Sequence, residues 1–189
     1  MSHFRVLPGL PPYGAVAVPV PSDWGHAARE GLVVEFVTDA GETWVGNFRP
    51  GLDGIDDVRV HPNGRDVLVL SAGAAWLVNP NSRETTEVGY AIDGMWSVSA
   101  PDGLVMSRQG LAFIRLGPEG RTWHTRRISW DGFKRVQLSA SEITGLAWAP
   151  WEPEWTPFTV DLQTGRVEGG SYNGPDATQW EILANDRSA

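Results

Sequence analysis

Hydrophobic residues occur along the chain in short runs that alternate with polar and turn-forming segments. The clearest runs are rich in Val, Ile, Leu and aromatic residues and are bounded by Gly, Pro, Asn or Asp: V-L-V-L (67–70), A-W-L-V (75–78), L-A-F-I-R-L (111–116) and F-T-V-D-L (158–162). Short bounded runs of β-branched and aromatic residues are typical of buried or half-buried strands. The pattern therefore predicts an all-β protein.

Two-residue turn signals separate many of these runs: Ala40-Gly41, Asn63-Gly64, Asp102-Gly103, Asp131-Gly132 and Thr164-Gly165. Asn-Gly and Asp-Gly tolerate the positive φ angles that tight hairpin turns need. Residues 128–136, I-S-W-D-G-F-K-R-V, are accordingly predicted to form a hairpin around Asp131-Gly132. A short helix is predicted at residues 22–30, where Ser22 or Asp23 is the cap and Gly31 ends it.

Two segments share one order of strands and turns. Residues 58–80 and 96–118 each contain a strand, a Pro-Asn-Gly or Pro-Asp-Gly turn, an apolar strand, a glycine turn and a second apolar strand. Their prolines, Pro62 and Pro101, are 39 positions apart. A third copy is predicted within 145–167, and a degenerate first copy at 33–48. The repeated unit predicts antiparallel hairpins or meanders.

A unit of about 40 residues with three or four strands resembles the blades of β-propellers, such as the WD-repeat proteins. The resemblance covers residues 33–170, although no unit ends in Trp-Asp. It implies about four blades, closed by a strand at residues 15–20 that pairs beside the last blade; Pro19 and Pro21 suit an edge strand. The alternative is a β-sandwich or barrel whose hairpins share turn chemistry. In an open sheet, a homodimer would cover the exposed edges.

Length and composition are those of a globular protein of one domain with a sizeable core, or of two small domains. The chain has 189 residues, of which 41% are hydrophobic and 20% charged. We predict a single all-β domain over residues 1–189, described by its N-terminal segment, repeated β units and C-terminal segment: 1–31, 32–170 and 171–189. No apolar run approaches the roughly 20 residues of a membrane helix, so no membrane association is predicted.

The chain contains no cysteine, which excludes disulfides, thiolate chemistry and cysteine-based zinc or iron–sulfur sites. The start, MSHFRVLPGLPPYG, lacks the basic and apolar regions of a secretory signal. Both observations favour a cytoplasmic location. Lys134 is the single lysine among 15 basic residues, and this arginine bias together with abundant Ala, Gly and Pro indicates a GC-rich bacterial genome.

The net charge of −8 argues against nucleic acid as a partner, because nucleic-acid-binding surfaces are basic. A local basic excess nevertheless occurs between Arg108 and Arg135, and it includes Arg126 and Arg127. This excess is compatible with an anionic partner or with a solvated strand face balanced by acidic neighbours.

Common catalytic and metal-binding motifs are absent. The sequence has no phosphate-binding loop, G-x-G-x-x-G, H-E-x-x-H or G-x-S-x-G motif. No zinc-like spacing occurs among the histidines: His3, His26, His61 and His124. His61 is predicted to flank a turn, with its ring bonded to the local backbone. We therefore predict no catalytic residue, no metal and no cofactor.

The densest carboxylates occur in the segment G-L-D-G-I-D-D-V, as Asp53, Asp56 and Asp57. A calcium loop needs oxygen ligands at alternating positions and a distant glutamate, and this segment departs from that pattern. These aspartates are instead predicted to lie in a loop that leads into a strand at Val58.

Residues 147–158, A-W-A-P-W-E-P-E-W-T-P-F, combine three tryptophans with three prolines. Because proline removes a backbone donor and breaks helices, residues 150–157 are predicted to form a loop or sheet edge outside the strand ladder. Trp148 is expected in the core and Trp155 behind the following strand, whereas Trp151 has the weakest claim to burial. Glu152 and Glu154 are expected to face water.

This segment supports two interpretations, a lid over an open end of the sheet or a rigid recognition platform. The function predicted from the sequence is a non-catalytic binding or scaffolding protein with a protein partner. Its predicted contact residues are Trp151, Glu152, Glu154 and Trp155 in the proline-rich segment and Arg126 and Arg127 on a predicted strand. The alternative is a carbohydrate-binding module that uses Trp151 and Trp155, because paired aromatics stack on sugar rings. A hydrolase with carboxylates at strand ends is the third hypothesis.

Overall fold

The computed structural model describes residues 4–14, 16–24, 30–99, 102–151 and 154–174. This part of the chain is all-β and contains sixteen strands in four four-stranded sheets, which confirms the predicted fold class. The predicted helix at 22–30 begins as a single 3-10 turn, Ser22–Trp24, and residues 25–29 lie outside the described residues. Two compact units divide the chain, Met1–Gly94 and Met95–Ala189. The single-domain assignment stays a prediction.

The first sheet has the order β1-β3-β4-β2. Its strands are β1 Phe4–Leu7, β2 Val18–Val20, β3 Leu32–Val37 and β4 Thr43–Phe48. The turn between β3 and β4 contains Gly41 at φ 80°, as predicted. β2 pairs in parallel with β4, with Val18 opposite Gly46, so the prediction that residues 15–20 pair beside the last unit is wrong. Pro19 does lie on an edge strand, where its missing donor is tolerated.

The second sheet is a meander of four consecutive strands. They are β5 Asp57–Val60, β6 Val67–Ser71, β7 Ala74–Val78 and β8 Thr85–Gly89. The predicted turn at Asn63-Gly64 lies between β5 and β6, with Gly64 at φ 70°. β6 and β7 are joined by Ala72-Gly73, both at positive φ, the conformation of a tight hairpin turn.

The core of the first unit is aromatic and aliphatic. Phe36 stacks on Trp44 with ring centroids 4.5 Å apart, and Phe48 contacts Phe36 edge-on. The first two sheets share this core, because Val69 and Trp76 of the second sheet belong to the same buried cluster.

The third sheet has the order β12-β11-β10-β9. Its strands are β9 Ile92–Ser99, β10 Asp102–Arg108, β11 Ala112–Gly117 and β12 Gly120–His124. β10 and β11 are joined by residues 109–111, in which Gln109 and Gly110 have positive φ. The repeated unit stays a prediction. The predicted turn at Asp102-Gly103 is wrong, because both residues belong to β10. Residues 100–101, which include Pro101, lie outside the described residues.

The fourth sheet has the order β13-β14-β15-β16. Its strands are β13 Phe133–Leu138, β14 Glu142–Ala149, β15 Glu154–Asp161 and β16 Val167–Gly169. The predicted turn at Thr164-Gly165 lies between β15 and β16. Phe113 of the third sheet stacks on Phe133 at 4.8 Å and contacts Phe158 at 5.7 Å, so the third and fourth sheets share the core of the second unit.

The hairpin predicted around Asp131-Gly132 does not form. Residues 125–132 contain no strand, and their backbone bonds to distant segments instead. The Ile128 amide donates to Leu111 O at 2.8 Å, and the Trp130 amide donates to Trp148 O at 3.2 Å. Because Ile128 is fully buried, the chain follows the core rather than the local turn signal.

Candidate functional site

The proline-rich connection between β14 and β15 is shorter than the sequence predicts. Residues 154–157 belong to β15, and Trp155 pairs with Trp148 across the ladder. The prediction that residues 150–157 lie outside the ladder is therefore wrong from Glu154 onward. The connection consists of Pro150 and Trp151, together with residues 152–153, which lie outside the described residues.

Pro157 is compatible with this strand for a geometric reason. Its carbonyl accepts a hydrogen bond from the Gly170 amide at 2.9 Å, on the β16 side of the strand. In an antiparallel ladder the nitrogen and carbonyl of one residue point to the same side. The nitrogen of Pro157 therefore points away from β14, and the missing donor removes no bond between β14 and β15.

The three tryptophans of this segment have different environments. Trp151 is 77% exposed, as predicted, whereas Trp148 and Trp155 are half-buried. The prediction that Trp148 lies in the core is wrong. Ala147 points into the core, and strand alternation turns the neighbouring Trp148 side chain outward. Trp148 and Trp155 pack together with centroids 5.3 Å apart, and Lys134 Nζ lies 4.0 Å from the Trp155 ring centroid.

Trp151 belongs to a second cluster of rings, which we call the aromatic platform: Trp130, Trp151 and Tyr172. Trp151 meets Trp130 at a centroid distance of 5.7 Å and an interplanar angle of 81°. Trp130 in turn lies 4.8 Å from Tyr172. The three residues precede β13, connect β14 to β15 and follow β16. Antiparallel pairing brings these positions to one end of the fourth sheet.

Hydrogen bonds from Ser129 hold the backbone beneath the platform. Ser129 is fully buried, and its hydroxyl donates to Gly132 O at 2.7 Å and accepts from the Trp148 amide at 3.0 Å. The amides of Ser171 and Tyr172 both donate to Ile128 O, at 2.9 and 3.0 Å. The segments that carry Trp130 and Tyr172 are thus fixed to each other and to the end of β14.

Arg127 covers two rings of the platform. Its guanidinium carbon lies 5.3 Å from the Trp130 centroid and 4.6 Å from the Tyr172 centroid. The same group donates to Ser129 O at 2.9 Å and to Trp130 O at 2.7 Å. A guanidinium over an aromatic face is attracted by the ring electrons. Arg127 therefore orients the rings, with its donors directed to the backbone.

Arg126 ties the same region to β16. Its guanidinium donates to the carbonyls of Gly169 at 2.8 Å, Arg127 at 2.9 Å and Tyr172 at 3.4 Å. The side chain is exposed, so its charge faces solvent beside the platform. The expectation that Arg126 and Arg127 lie on a strand is wrong, because both belong to the irregular segment before β13.

The indole nitrogen of Trp130 is buried and has no hydrogen-bond partner in the described part of the chain. A buried donor without an acceptor is destabilising, so this ring is held by packing and by Arg127 rather than by its own polar atom. Burial at the base and exposure at Trp151 give the platform a fixed support and an open face.

The predicted site residues are only partly brought together. Trp151 and Arg127 share the platform through Trp130, and Trp155 lies in the separate cluster with Trp148 and Lys134. Glu154 is exposed at the start of β15, and Glu152 lies outside the described residues. Sequence reasoning missed Trp130 and Tyr172 as members of the site. Their positions in the sequence could have indicated them, because each lies beside the end of a predicted strand and a four-stranded meander brings such ends together.

No protein-family model matches the sequence, and no curated protein matches it. The candidate site therefore rests on its own geometry.

Outside the platform, the structure confirms two local predictions from the sequence, at His61 and Asp57. His61 flanks a turn as predicted, and its Nδ1 accepts from the Asn63 amide at 3.3 Å. Asp57 begins β5, as predicted for a residue that leads into the strand at Val58. Among the described residues, no three His, Asp or Glu side chains are grouped to hold a metal. Nor does this part of the chain contain a helix long and apolar enough to cross a membrane.

Proposed function

We propose that this chain is a cytoplasmic binding or scaffolding protein that contacts a protein partner through the aromatic platform. The observation that carries the proposal is Trp151, which is 77% exposed while its ring is supported by Trp130. Tryptophan contributes disproportionately to binding energy at the centre of protein interfaces. A supported ring also loses little conformational entropy on binding.

The surroundings of Trp151 are those of an interface with an apolar centre and a polar rim. Arg126, Asp131 and Glu154 are exposed in the segments that adjoin the platform. Rim charges of this kind contribute more to partner choice and association rate than to affinity. The partner expected from this geometry has an apolar recess for one indole ring and polar groups around it.

The test compares two single substitutions of exposed aromatic residues. Affinity capture from native lysate with quantitative mass spectrometry should recover a stoichiometric partner with the wild type. Trp151→Ala should lose it, and Tyr13→Ala, which removes a 90% exposed ring in the other unit, should retain it. Absence of a stoichiometric partner, or its retention by Trp151→Ala, would contradict the proposal.

Carbohydrate binding is the second candidate, and the exposed face of the Trp151 indole favours it. Aromatic faces stack on sugar rings, and Glu154 adds an exposed acceptor at the start of β15. Trp151 and Trp155 do not pack on each other as a pair of sugar-stacking rings, because Trp151 packs on Trp130 and Trp155 packs on Trp148. A glycan array in which no binder appears, or in which binding survives Trp151→Ala, would exclude this candidate.

We also propose that the repeated sheets are propeller-like blades, as the resemblance implies. The proposal is supported by four sheets of four strands, of which three follow a simple meander. It is further supported by the short connections at 72–73 and 109–111, each of which contains two consecutive residues at positive φ. An experimental structure in which the sheets form a sandwich or a barrel would contradict it.

A further inference from the structure

A pocket of about 310 Å³ lies in the first unit, apart from the residues of the aromatic platform. This volume is at the lower end of the range of small-molecule sites, about 300–1,000 Å³. Its walls combine apolar side chains with two carboxylates. The apolar residues are Leu7, Pro8, Leu32, Val33 and Pro50, and the carboxylates are Glu30 and Asp56.

Each carboxylate uses one oxygen to hold the pocket wall. Glu30 Oε2 accepts from the Leu10 amide at 3.2 Å, and Asp56 Oδ1 accepts from the Ala72 amide at 2.6 Å. The second oxygen of each makes no hydrogen bond within the described residues. A carboxylate offers about four acceptor positions, so both groups retain capacity for a donor.

Neither carboxylate is neutralised by a cation of the described chain. Asp57, the neighbour of Asp56, contacts Arg59 at 2.8 Å, and Glu35 contacts Arg5 at 3.0 Å. Glu30 and Asp56 form no such pair there, and no lysine, arginine or histidine lines the pocket. The first unit contains 12 acidic and six basic residues, a net charge of −6, so the surrounding field also attracts cations.

The Ser71 hydroxyl and the Gly31 amide, two other polar groups of the pocket, have internal partners. Ser71 Oγ donates to Phe48 O at 3.0 Å and accepts from the Leu32 amide, and the Gly31 amide donates to Asn47 Oδ1 at 2.9 Å. Recognition by side chains is therefore left to the two carboxylates. A ligand that matches them has a cationic donor head and an apolar stem for the surrounding walls.

We propose that this pocket binds an organic cation, an ammonium or guanidinium group on an aliphatic stem. The cation donates charge-assisted hydrogen bonds to the free carboxylate oxygens, and the stem packs on the leucine, valine and proline walls. A free amine and a lysine or arginine side chain of a peptide share this chemistry. The site is independent of the proposed protein-binding platform, with which it shares no residue.

The first experiment uses the wild-type protein and ¹⁵N-resolved NMR titrations. The peptide probes are N-acetyl-arginine methylamide and N-acetyl-lysine methylamide, and the free amines are agmatine and cadaverine. N-acetyl-norleucine methylamide is the uncharged control. At least one cationic probe should shift the amides of Gly31, Ala72 and their neighbours, and the shift should weaken with added salt. Saturation by free amines indicates a small-molecule ligand, and saturation by the peptide probes alone indicates a protein side chain.

The second experiment removes the charges without changing the shape. Glu30→Gln combined with Asp56→Asn keeps an acceptor for the Leu10 and Ala72 amides and should weaken the best cationic probe at least about tenfold, because hydrogen bonds to a carboxylate are stronger than those to a neutral amide oxygen. The matched control, Asp53→Asn with Glu84→Gln, removes two exposed charges of the same unit outside the pocket lining.

Binding should be retained by this control within about twofold, because only long-range screened charge is lost. The proposal is overturned if no cationic probe shifts the pocket amides or if the norleucine control binds equally well. Equal weakening in the two double variants would also overturn it, because the effect would then be one of net charge.

Discussion

Removal of one buried hydroxyl beneath the aromatic platform should destabilise the fold measurably. Ser129 is fully buried, and its Oγ donates to Gly132 O at 2.7 Å. The same oxygen accepts from the amides of Trp148 at 3.0 Å and Asp131 at 3.2 Å. Ser129→Ala deletes these three contacts and a longer one to Trp148 O at 3.4 Å, and it changes side-chain volume very little, so the result reports on hydrogen bonding.

The expected magnitude follows from what each partner retains. The Trp148 amide also faces Gly132 O at 3.3 Å and keeps that partner, and Asp131 is exposed and regains water. The loss therefore amounts to about two net hydrogen bonds, or ~2 kcal/mol in the free energy of unfolding. For a chain of this size, that loss lowers Tm by about 4–8 °C.

The matched control is Ser139→Ala in the turn before β14. Ser139 Oγ also makes three contacts, with the Ser141 amide at 3.3 Å and with the amide and carbonyl of Glu142 at 3.1 and 3.2 Å. This serine is exposed, so water replaces the lost contacts and the cost should stay below about 0.5 kcal/mol. Scanning calorimetry and urea unfolding measure both variants. Equal losses would refute the reasoning that burial makes the Ser129 contacts costly to remove.

Three further predictions concern the core, a turn and pH. Phe113→Ala removes a fully buried ring and should cost about 3–5 kcal/mol in urea unfolding; a loss below 1 kcal/mol would contradict the shared core. Gly110→Ala places a methyl group 2.5 Å from backbone and should cost more than Gly64→Ala, whose added methyl meets nothing within 4 Å. Burial lowers the pKa of His61 in the folded protein below its ordinary value of 6.5. As the pH falls, the His61 imidazole is therefore protonated in the unfolded chain before it is protonated in the folded chain. The free energy of unfolding should therefore fall as pH drops below about 6.5, and His61→Gln should reduce that slope; an unchanged slope would contradict it.

Local chemistry explains which parts of the fold could be predicted. Runs of β-branched residues mark strands such as β6 and β11, and Gly41, Gly64 and Gly165 each occupy positive φ in the turns that the sequence indicates. These features depend on a few neighbouring residues, which a sequence pattern contains. The all-β class was accessible for the same reason.

Long-range contacts explain the errors. The Asp131-Gly132 signal is as good as any in the chain, yet burial of Ile128 and the bond between Trp130 and Trp148 determine the local path. Pro157 is tolerated in β15 because its carbonyl bonds to the Gly170 amide, so its nitrogen, which has no hydrogen to donate, points away from β14. Neither fact is encoded within a window of ten residues. The loop predicted at residues 150–157 is therefore wrong from Glu154 onward, where β15 begins.

The platform shows the same limit at the level of function. Trp130, Trp151 and Tyr172 follow one another along the chain at intervals of 21 positions, and their proximity depends on three strand pairings. Exposure of Trp151 was predictable from its flanking prolines, but the support that fixes its ring was not. A binding surface assembled from connections at one sheet end becomes visible only when the strand order is known.

The two proposed sites make demands that can be separated by experiment. The platform presents an apolar ring with its own arginines engaged, and the pocket presents two carboxylates with no counter-ion in the described chain. They belong to different compact units and share no residue. Trp151→Ala should therefore leave cation binding unchanged, and the Glu30→Gln/Asp56→Asn variant should retain the protein partner. If one variant abolished both activities, a common loss of folding would explain the data better than either site, and the Ser129 and Ser139 comparison provides the stability scale for judging that outcome.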